Sequence, residues 1–563
     1  MPLLSLNNKL SHKQYMGGSL LLILCAALYL WPVCQVLRRN IDQGLVPLGA
    51  DLLNHGGFLY KNLLTVVWPG SYMWLALMYQ LFGSSWFVSK TVLFFTLIAT
   101  TILILALSRK LIDSWLVFLP AATFFVVGPP PWNCNYYHWD ALFLFLCCTW
   151  FLTKLLEKPS FKLALAAGLS GGLSVFCFQS LGPGIVSGIT LSCLLIGLQT
   201  KSTKTALTNL LLSYSGFAFV YLCFAIYLIH TGTLQDMIDC TIKFIFSHYE
   251  TVNTVPYGYC RFLEIIMGGL AAPPPESVVN SNSPATRFFF YTFKLLFAGL
   301  AWWPMEIIKQ IPIVVPLCAI AVAAPPLIKK QKSFIETLLE HKIIAVWLVL
   351  GFGFLLAEWH RPEINRLFWG EQLLLIILFY FIEQTYKKIA WSRLSIYVFN
   401  SITILSLLTF AAMHLVYFTN TRETISTRRG PVSTVDNLDI VKAVQEVTKP
   451  GDKVFVYPYE TVINYLTDTK SPADQPLLQH HFNSDEQFKR VLDDLENGKV
   501  KYVVWDMSLN NQTMSSLGFP SYEQVSPDKL VIEQYLHKNY DMVKTYGLYR
   551  LLKRKESSDK TTQ

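Results

Sequence analysis

The residues that could carry out chemistry in this chain lie in four short stretches. Asp42 follows Arg38, Arg39 and Asn40; a carboxylate in that company can take a proton from a hydroxyl while the guanidiniums, Arg39 first, hold an anion. Lys61 beside Tyr60 offers a second cation, and His138 stands among aromatic rings in NYYHWD. His360, Arg361 and Arg366 fall together in WHRPEINRLFWG. Each has a plainer reading. Asp42 can cap the short helix expected at 48–54 or pair with Arg39. Arg361 and Arg366 can snorkel or pair with Glu358 and Glu363, and His138 can be an interfacial anchor. Asp51 and His55, one helical turn apart, suit either a divalent metal or an exposed polar helix face.

The hydropathy pattern puts these stretches at one face of a membrane. Of 563 residues, 53% are hydrophobic, 14% aromatic and only 15% charged, and the mean hydropathy is +0.39. Such a chain is expected to cross a membrane many times. The net charge of +9 does not point to nucleic acid, because the lysines and arginines gather in short clusters between apolar runs. Runs of about 20 residues place spans at 17–37, 88–108, 114–130, 139–156, 161–180, 181–199, 206–230, 310–328, 343–357, 367–383 and 394–418. The first has the basic flank of a signal peptide, but Trp31, Pro32 and two arginines stand where a small-residue cleavage site would follow.

With eleven spans the basic clusters all fall on the side of Lys9 and Lys13. They are Arg109 and Lys110; Lys154, Lys158 and Lys162; Lys201 and Lys204; Lys329, Lys330 and Lys332; and Lys387, Lys388 and Arg393. That pattern obeys the positive-inside rule. Two more apolar stretches, 66–83 and 288–305, are rich in aromatic residues. Counting either alone as a span would invert everything after it, so both are expected as interfacial or re-entrant helices on the outer side. The outer side then collects the loop 38–87 and the segments 129–140, 178–184, 231–287 and 358–366, and with them the chemistry.

From about residue 420 the composition is that of an α/β domain, giving the division 1–419 and 420–563, with the second part also outside. VFVYPY and KYVVWDM read as strands, 485–497 and 526–539 as helices, and YDMVKTYGLYRLLKR as a closing hairpin turning at Gly547. None of the eleven cysteines lies after residue 420, and no metal-ligand spacing occurs among them. Cys240 and Cys260 could pair if their loop faces an oxidising compartment.

DQG at 42–44, ADLLNHGG at 50–57, LY at 59–60, PGSY at 69–72 and LFG at 81–83 together resemble the first outer loop of the GT-C superfamily. These are polytopic glycosyltransferases that use polyprenyl-phosphate sugars, among them dolichyl-phosphate-mannose protein mannosyltransferases and the lipid A aminoarabinose transferase. The resemblance implies a helical membrane protein of GT-C type with about eleven spans, interfacial helices and a small α/β domain. It implies a sugar moved from a polyprenyl-phosphate donor to a glycan, lipid or protein acceptor, with inversion. Asp42 matches the family's catalytic aspartate, and 358–370 resembles its late Arg/His–Tyr segment, so His360, Arg361 and Arg366 would hold phosphate. Arg39, Tyr60, Lys61 and His138 are the further candidates for substrate contact.

A lone carboxylate suits that reaction. Hydrolysing a glycoside needs a second group to protonate the leaving alkoxide, whereas a sugar on a lipid phosphate already carries a good leaving group. The chain departs from the family at Trp68, where relatives of the aminoarabinose transferase have Lys, and at Asn62, where others have an acidic residue. No cofactor is therefore assigned; a divalent metal is possible but unsupported by the sequence. A transporter, flippase or polymerase of lipid-linked sugars is the alternative, and the compact loops favour a bacterial inner membrane over an ER lumen.

Overall fold

Within lipid every backbone N–H and C=O must be satisfied by its own segment, so the apolar runs of this chain become helices. The computed structural model describes residues 9–39, 42–249, 254–260, 284–329, 331–389, 393–420, 423–513, 515 and 519–556. Its membrane part runs α1 (His12–Gln35), β1 (Val36–Leu37), α2 (Leu45–Asn54), α3 (Gly70–Phe82), α4 (Trp86–Leu111), α5 (Leu119–Val127), α6 (Tyr137–Glu157), α7 (Phe161–Cys177), α8 (Gly182–Thr200) and α9 (Thr203–Thr231). It continues through α10 (Pro284–Ile328), α11 (Phe334–Glu340), α12 (Lys342–Ala357), α13 (Ile364–Gly370), α14 (Gln372–Lys388) and α15 (Arg393–Asn420).

Among the described residues, eight helices are long and apolar enough to cross a membrane. Two bent pairs, α11 with α12 at 81° and α13 with α14 at 73°, bring the number to ten. The shorter apolar α7 supplies a helix for the remaining expected span. The basic ends of several helices meet. Leu10 N donates to Asp113 O at 3.0 Å, Lys110 Nζ lies 2.6 Å from Glu157, Lys342 Nζ donates to Leu156 O at 2.9 Å, and Ser114 N donates to Glu383 at 2.7 Å.

One expectation is corrected. The stretch 288–305 is not a separate interfacial helix but part of α10, which continues unbroken for 45 residues past five prolines. At 1.5 Å per residue it is roughly 67 Å long, more than the roughly 40–45 Å of a whole bilayer. Since it adds no crossing of its own, the odd number of spans is unaffected. Within the stretch 66–83 the structure has one helix, α3, of 13 residues, too short to be counted among the spans. Most of the loop 271–287 and the tail 557–563 lie outside the described residues.

After α15 come β2 (Glu423–Thr427), β3 (Gly430–Thr434), α16 (Asp439–Val447), β4 (Val454–Tyr457), α17 (Thr461–Thr467), α18 (Asp485–Asn497), β5 (Tyr502–Asp506), α19 (Val531–Asn539), β6 (Tyr540–Tyr546) and β7 (Tyr549–Arg554). β4, β5, β7 and β6 form one sheet in that order. β4 and β5 are parallel, and β6 and β7 form the expected hairpin with Gly547 at φ +58°. The β2–β3 hairpin is extended by β1, which pairs parallel with β3 through Val36 opposite Ser433.

Packing therefore crosses residue 420 at several points. Arg429 Nη2 bridges Asp51 at 2.6 Å and Asp468 at 2.7 Å, and the hydroxyls of Tyr79 and Tyr465 meet at 2.7 Å. At Gly44 the two parts approach so closely that a Cβ would lie 2.1 Å from the backbone N of Val462. The φ of −96° at Gly44 is open to any residue, so only space demands glycine there. We expect Gly44→Ala to cost at least about 2 kcal/mol by overpacking, read as a lowered unfolding temperature of the detergent-solubilised protein; an unchanged temperature would show that the contact is loose.

Candidate active site

Asp42 sits in the turn that leads into α2, and the residue after it is tied down. Gln43, the next residue, is buried; its Nε2 donates to Asn133 Oδ1 at 2.9 Å, and its Oε1 accepts from Lys90 Nζ at 2.7 Å. Lys90 also donates to Asn133 O at 2.7 Å, and Asn133 Nδ2 donates to Val33 O at 2.8 Å and Val36 O at 2.7 Å. The turn is thus pinned to the ends of α1 and α4 and to the segment before α6. Asp42 Oδ1 accepts a hydrogen bond of 2.8 Å from the hydroxyl of Tyr459. Burial pushes its carboxyl above the ordinary range, the Tyr459 hydroxyl and the Arg366 and Arg361 guanidiniums pull it back, and Glu363 adds to the rise.

The second half of the site comes from the segment between α12 and α13. Glu358 is buried between His138, whose Nε2 lies 2.7 Å from Oε1, and Arg366, whose Nη1 lies 3.2 Å from Oε2. His138 opens α6 with its ring stacked on Trp369 at 4.2 Å and on Tyr136 at 4.8 Å. Arg366 Nη1 also meets His360 Nε2 at 3.0 Å. Since a guanidinium can only donate, His360 Nε2 accepts, and its Nδ1–H donates to Ala357 O at 3.2 Å. Burial and Arg366 push His360 down to about 4, in keeping with that neutral ring. Glu363 bridges both arginines, Oε2 lying 3.2 Å from Arg361 Nε and Oε1 3.4 Å from Arg366 Nε. Arg361 packs over the ring of Phe519 at 5.3 Å.

Of the residues singled out in the sequence, Asp42, His138, His360, Arg361 and Arg366 come together. Arg361 and Arg366 have the carboxylate partners of their plainer reading, and they also face Asp42. Arg39, Tyr60 and Lys61 make their contacts elsewhere. Arg39 bonds Asp506 and Ser508, lies 3.7 Å from Glu460, and covers the ring of Tyr549 at 5.3 Å. It is a clamp onto the C-terminal region. The Tyr60 hydroxyl donates to Val67 O at 3.1 Å, and Lys61 is exposed. Asp51 is buried rather than exposed: it accepts from Ser84 at 2.7 Å, holds Arg429 at 2.6 Å and lies 3.6 Å from Nδ1 of His55.

Among the described residues no three His, Cys, Asp or Glu side chains gather as metal ligands would. Trp68 packs on Tyr221 and Phe224, at 5.2 Å and 5.3 Å, and Asn62 Oδ1 accepts from Phe58 N at 2.9 Å, so both departures from the family pattern have structural partners. Cys240 and Cys260 are free thiols. Sequence reasoning missed Tyr459, read only as the end of a strand. Its one local signal is YPYE directly after that strand.

No family model and no curated protein matches the sequence. In structure the chain is similar to the Archaeoglobus fulgidus oligosaccharyltransferase in complex with Zn and sulfate, at 12% identity and a TM-score of 0.51, over 92% of this chain and 71% of that one. The apo form of that protein aligns at 11% identity and a TM-score of 0.45, over 90% and 71%. ArnT from Cupriavidus metallidurans bound to undecaprenyl phosphate aligns at 12% identity and a TM-score of 0.40, over 96% and 98%. The first likeness shows the fold: this chain, with its many apolar helices, shares the fold of that oligosaccharyltransferase.

Glu358 is the residue on which the buried cluster depends. Glu358→Ala would remove the carboxylate that Arg366 and His138 share in a buried place and leave Arg366 to Glu363, at a cost of about 3 kcal/mol. We expect a marked fall in unfolding temperature, smaller for Glu358→Gln, which keeps hydrogen-bonding atoms in place; equal stability of Glu358→Ala and wild type would show that Arg366 does not need this partner.

Proposed function

We propose that the protein is a membrane glycosyltransferase that moves a sugar from a polyprenyl-phosphate carrier to an acceptor hydroxyl. The observation that carries this reading is one buried carboxylate, Asp42, held by the Tyr459 hydroxyl at 2.8 Å within the electrostatic reach of two guanidiniums, Arg361 and Arg366, that Glu363 joins at 3.2 Å and 3.4 Å. The GT-C fold and the motifs at 42–83 support it. The reaction lies on the face opposite the basic loops, with residues 420–563 on that same side, and the compact outer loops favour a bacterial inner membrane.

Asp42 takes the proton of the acceptor hydroxyl as its oxygen bonds to the anomeric carbon from the side away from the phosphate. The bond from that carbon to the phosphate oxygen breaks, its electron pair leaves with the polyprenyl phosphate, and configuration inverts. Arg361 and Arg366 meet the charge that grows on the leaving phosphate. His360 and His138 hold Arg366 and Glu358 in place rather than touching the sugar. At rest, three carboxylates, Asp42, Glu358 and Glu363, share the two guanidiniums. An incoming phosphate must displace one. Glu363, with 14% of its side chain exposed against 0% for Glu358, is the one placed to give way.

Asp42→Asn keeps the Tyr459 contact but removes the base. We expect transfer to fall by about 10²–10⁴ with folding and insertion intact, seen as a lipid-linked sugar that accumulates in a deletion strain carrying the variant. A pool restored to the wild-type level would remove the central claim. In the wild type, activity should fall as pH drops through the Asp42 carboxyl, and burial puts that fall above the ordinary carboxylate range.

Arg361→Ala and Glu363→Gln should act in opposite directions on the affinity of the purified protein for undecaprenyl phosphate. The first should weaken binding by about tenfold, the value of one charge-assisted contact of about 1.4 kcal/mol, and the second should strengthen it severalfold. Unchanged affinity in both would mean that the phosphate binds elsewhere.

A further inference from the structure

The reaction as derived uses groups from the loop 38–44 and the segment 358–366, and gives the region after residue 420 no part in the chemistry. The geometry there says otherwise. The loop is fixed to one stretch of that region at three successive points: Arg39 Nε lies 3.7 Å from Glu460, Asp42 accepts from Tyr459 at 2.8 Å, and Gly44 abuts Val462. Tyr459 is buried and belongs to a small apolar cluster with Phe244, Phe482, Leu509, Phe519 and Tyr522. Phe519 is the ring under the Arg361 guanidinium, at 5.3 Å. One cluster therefore touches both the base and a phosphate-binding cation.

We propose that Tyr459 is a positioning residue for Asp42: its hydroxyl fixes the plane of the carboxylate and holds it in the ionised, proton-accepting form, so that the C-terminal region completes the active site. This rests on the assignment of Asp42 as the base. The backbone around Tyr459 is itself held, since Leu478 N donates to Pro458 O at 3.0 Å and Tyr459 bridges Leu477. Burial and the Asp42 charge raise the Tyr459 hydroxyl well above its ordinary value, so it keeps its proton and remains the donor. A hydroxyl that donates to a carboxylate stabilises the charged form. Losing it therefore raises the pH at which Asp42 ionises. The other groups facing Asp42 are Arg361, Glu363 and Arg366 from the 358–366 segment, Tyr72 from α3, Cys134 from the segment before α6, and Glu460. Tyr459→Phe alters none of these.

The test uses the full-length protein. The carboxyl band of protonated Asp42, identified in difference infrared spectra by its loss in Asp42→Asn, is titrated in wild type and in Tyr459→Phe. We expect the midpoint to move up by about one pH unit, a tenfold change in proton affinity. The lipid-linked sugar of a deletion strain carrying Tyr459→Phe should remain several-fold above the wild-type level. Tyr522→Phe is the control, because its ring is in the same cluster but its hydroxyl donates to Asn511 at 2.8 Å; it should change neither quantity. 3-Fluorotyrosine at position 459 keeps the shape, makes a stronger donor and should move the midpoint down, which keeps the question answerable if the phenylalanine variant does not fold. An unmoved midpoint in both substitutions, or a pool at the wild-type level with Tyr459→Phe, would overturn the proposal. So would a pool below the wild-type level, since it would mean that the phenol blocks the acceptor. If Asp42→Asn itself leaves a normal pool, the assignment of the base fails first, whatever Tyr459 does.

Discussion

A carboxylate at a membrane surface can act as a base only while burial does not protonate it and a neighbouring cation does not take its charge out of use. Asp42 stands between these two outcomes. Burial favours its neutral form, and the Tyr459 hydroxyl, Arg366 and Arg361 favour the charged one. The arginines do not close on Asp42 alone because other carboxylates compete for them. Glu358, buried against His138, holds Arg366 from one side, and Glu363 spans both guanidiniums. Arg366 is shared by Glu358 and Glu363, so removing either carboxylate shifts the balance of charge on the rest of the buried cluster. The sequence alternation EWHRPEINR is thus a single electrostatic unit.

The same constraint explains why the chain has no clean packing boundary at residue 420, although its composition changes there. Arg39 leaves the first span with a charge that has to be answered, and the answer, Asp506, is at the end of β5 and fully buried. Burial and Asp506 push Glu460 up to about 8, so near neutrality Asp506 is the principal counter-charge of that clamp. Asp51 is answered by Arg429 from the other side of the boundary. A hydrophobic core runs through the spans into β2, β3, α16, α17 and one face of the β4–β5–β7 sheet, through Val454, Val456, Val504 and Leu551, while the other face of that sheet covers a separate core. The loop carrying Asp42 is therefore held from both sides, a fixed geometry that the proposed role as base would need.

Much of this was legible in the sequence, for local reasons. Hydropathy and basic clusters gave the spans because a bilayer imposes length and sign on each segment separately. The parts of the C-terminal sheet that could be read, at 454–459, 501–507 and 540–554, carry β-branched and aromatic runs with turn residues between them. Asp42 stood out through the pattern at 42–83, and the 358–366 segment because it gathers a histidine and two arginines on the side away from the basic clusters. What escaped notice depends on partners far away in the chain. Tyr459 lies 417 positions from Asp42, and nothing near it distinguishes its hydroxyl from that of Tyr457, which donates to Glu533. Asp51 looked exposed because its partner Arg429 is 378 positions distant. The stretch 288–305 reads as a separate interfacial helix because, counted alone as a span, it would invert everything after it; the sequence does not show that one helix runs on through it past five prolines, which membrane helices tolerate.

Lys90 sharpens the choice between a transferase and a conduit. The spans read as almost free of ionisable groups, yet this ammonium is completely buried in α4, 4.3 Å from the ring of Trp86. In a transporter, a buried charge at mid-depth marks the path of its cargo. Lys90 is only four residues into α4, about 6 Å from its start, and its partners are Gln43, next to Asp42, and the carbonyl of Asn133. Asp140 is likewise in the first turn of α6, and Glu383, near the end of α14, binds backbone N–H groups at the basic end of the bundle. These three charges sit near the ends of their helices and none traces a route through the middle. Lys90 instead supports from below the turn that presents Asp42. That arrangement suits the proposed reaction centre, with Asp42 fixed on the side of the helix ends by Lys90 and Gln43 and on the side of the C-terminal region by Tyr459.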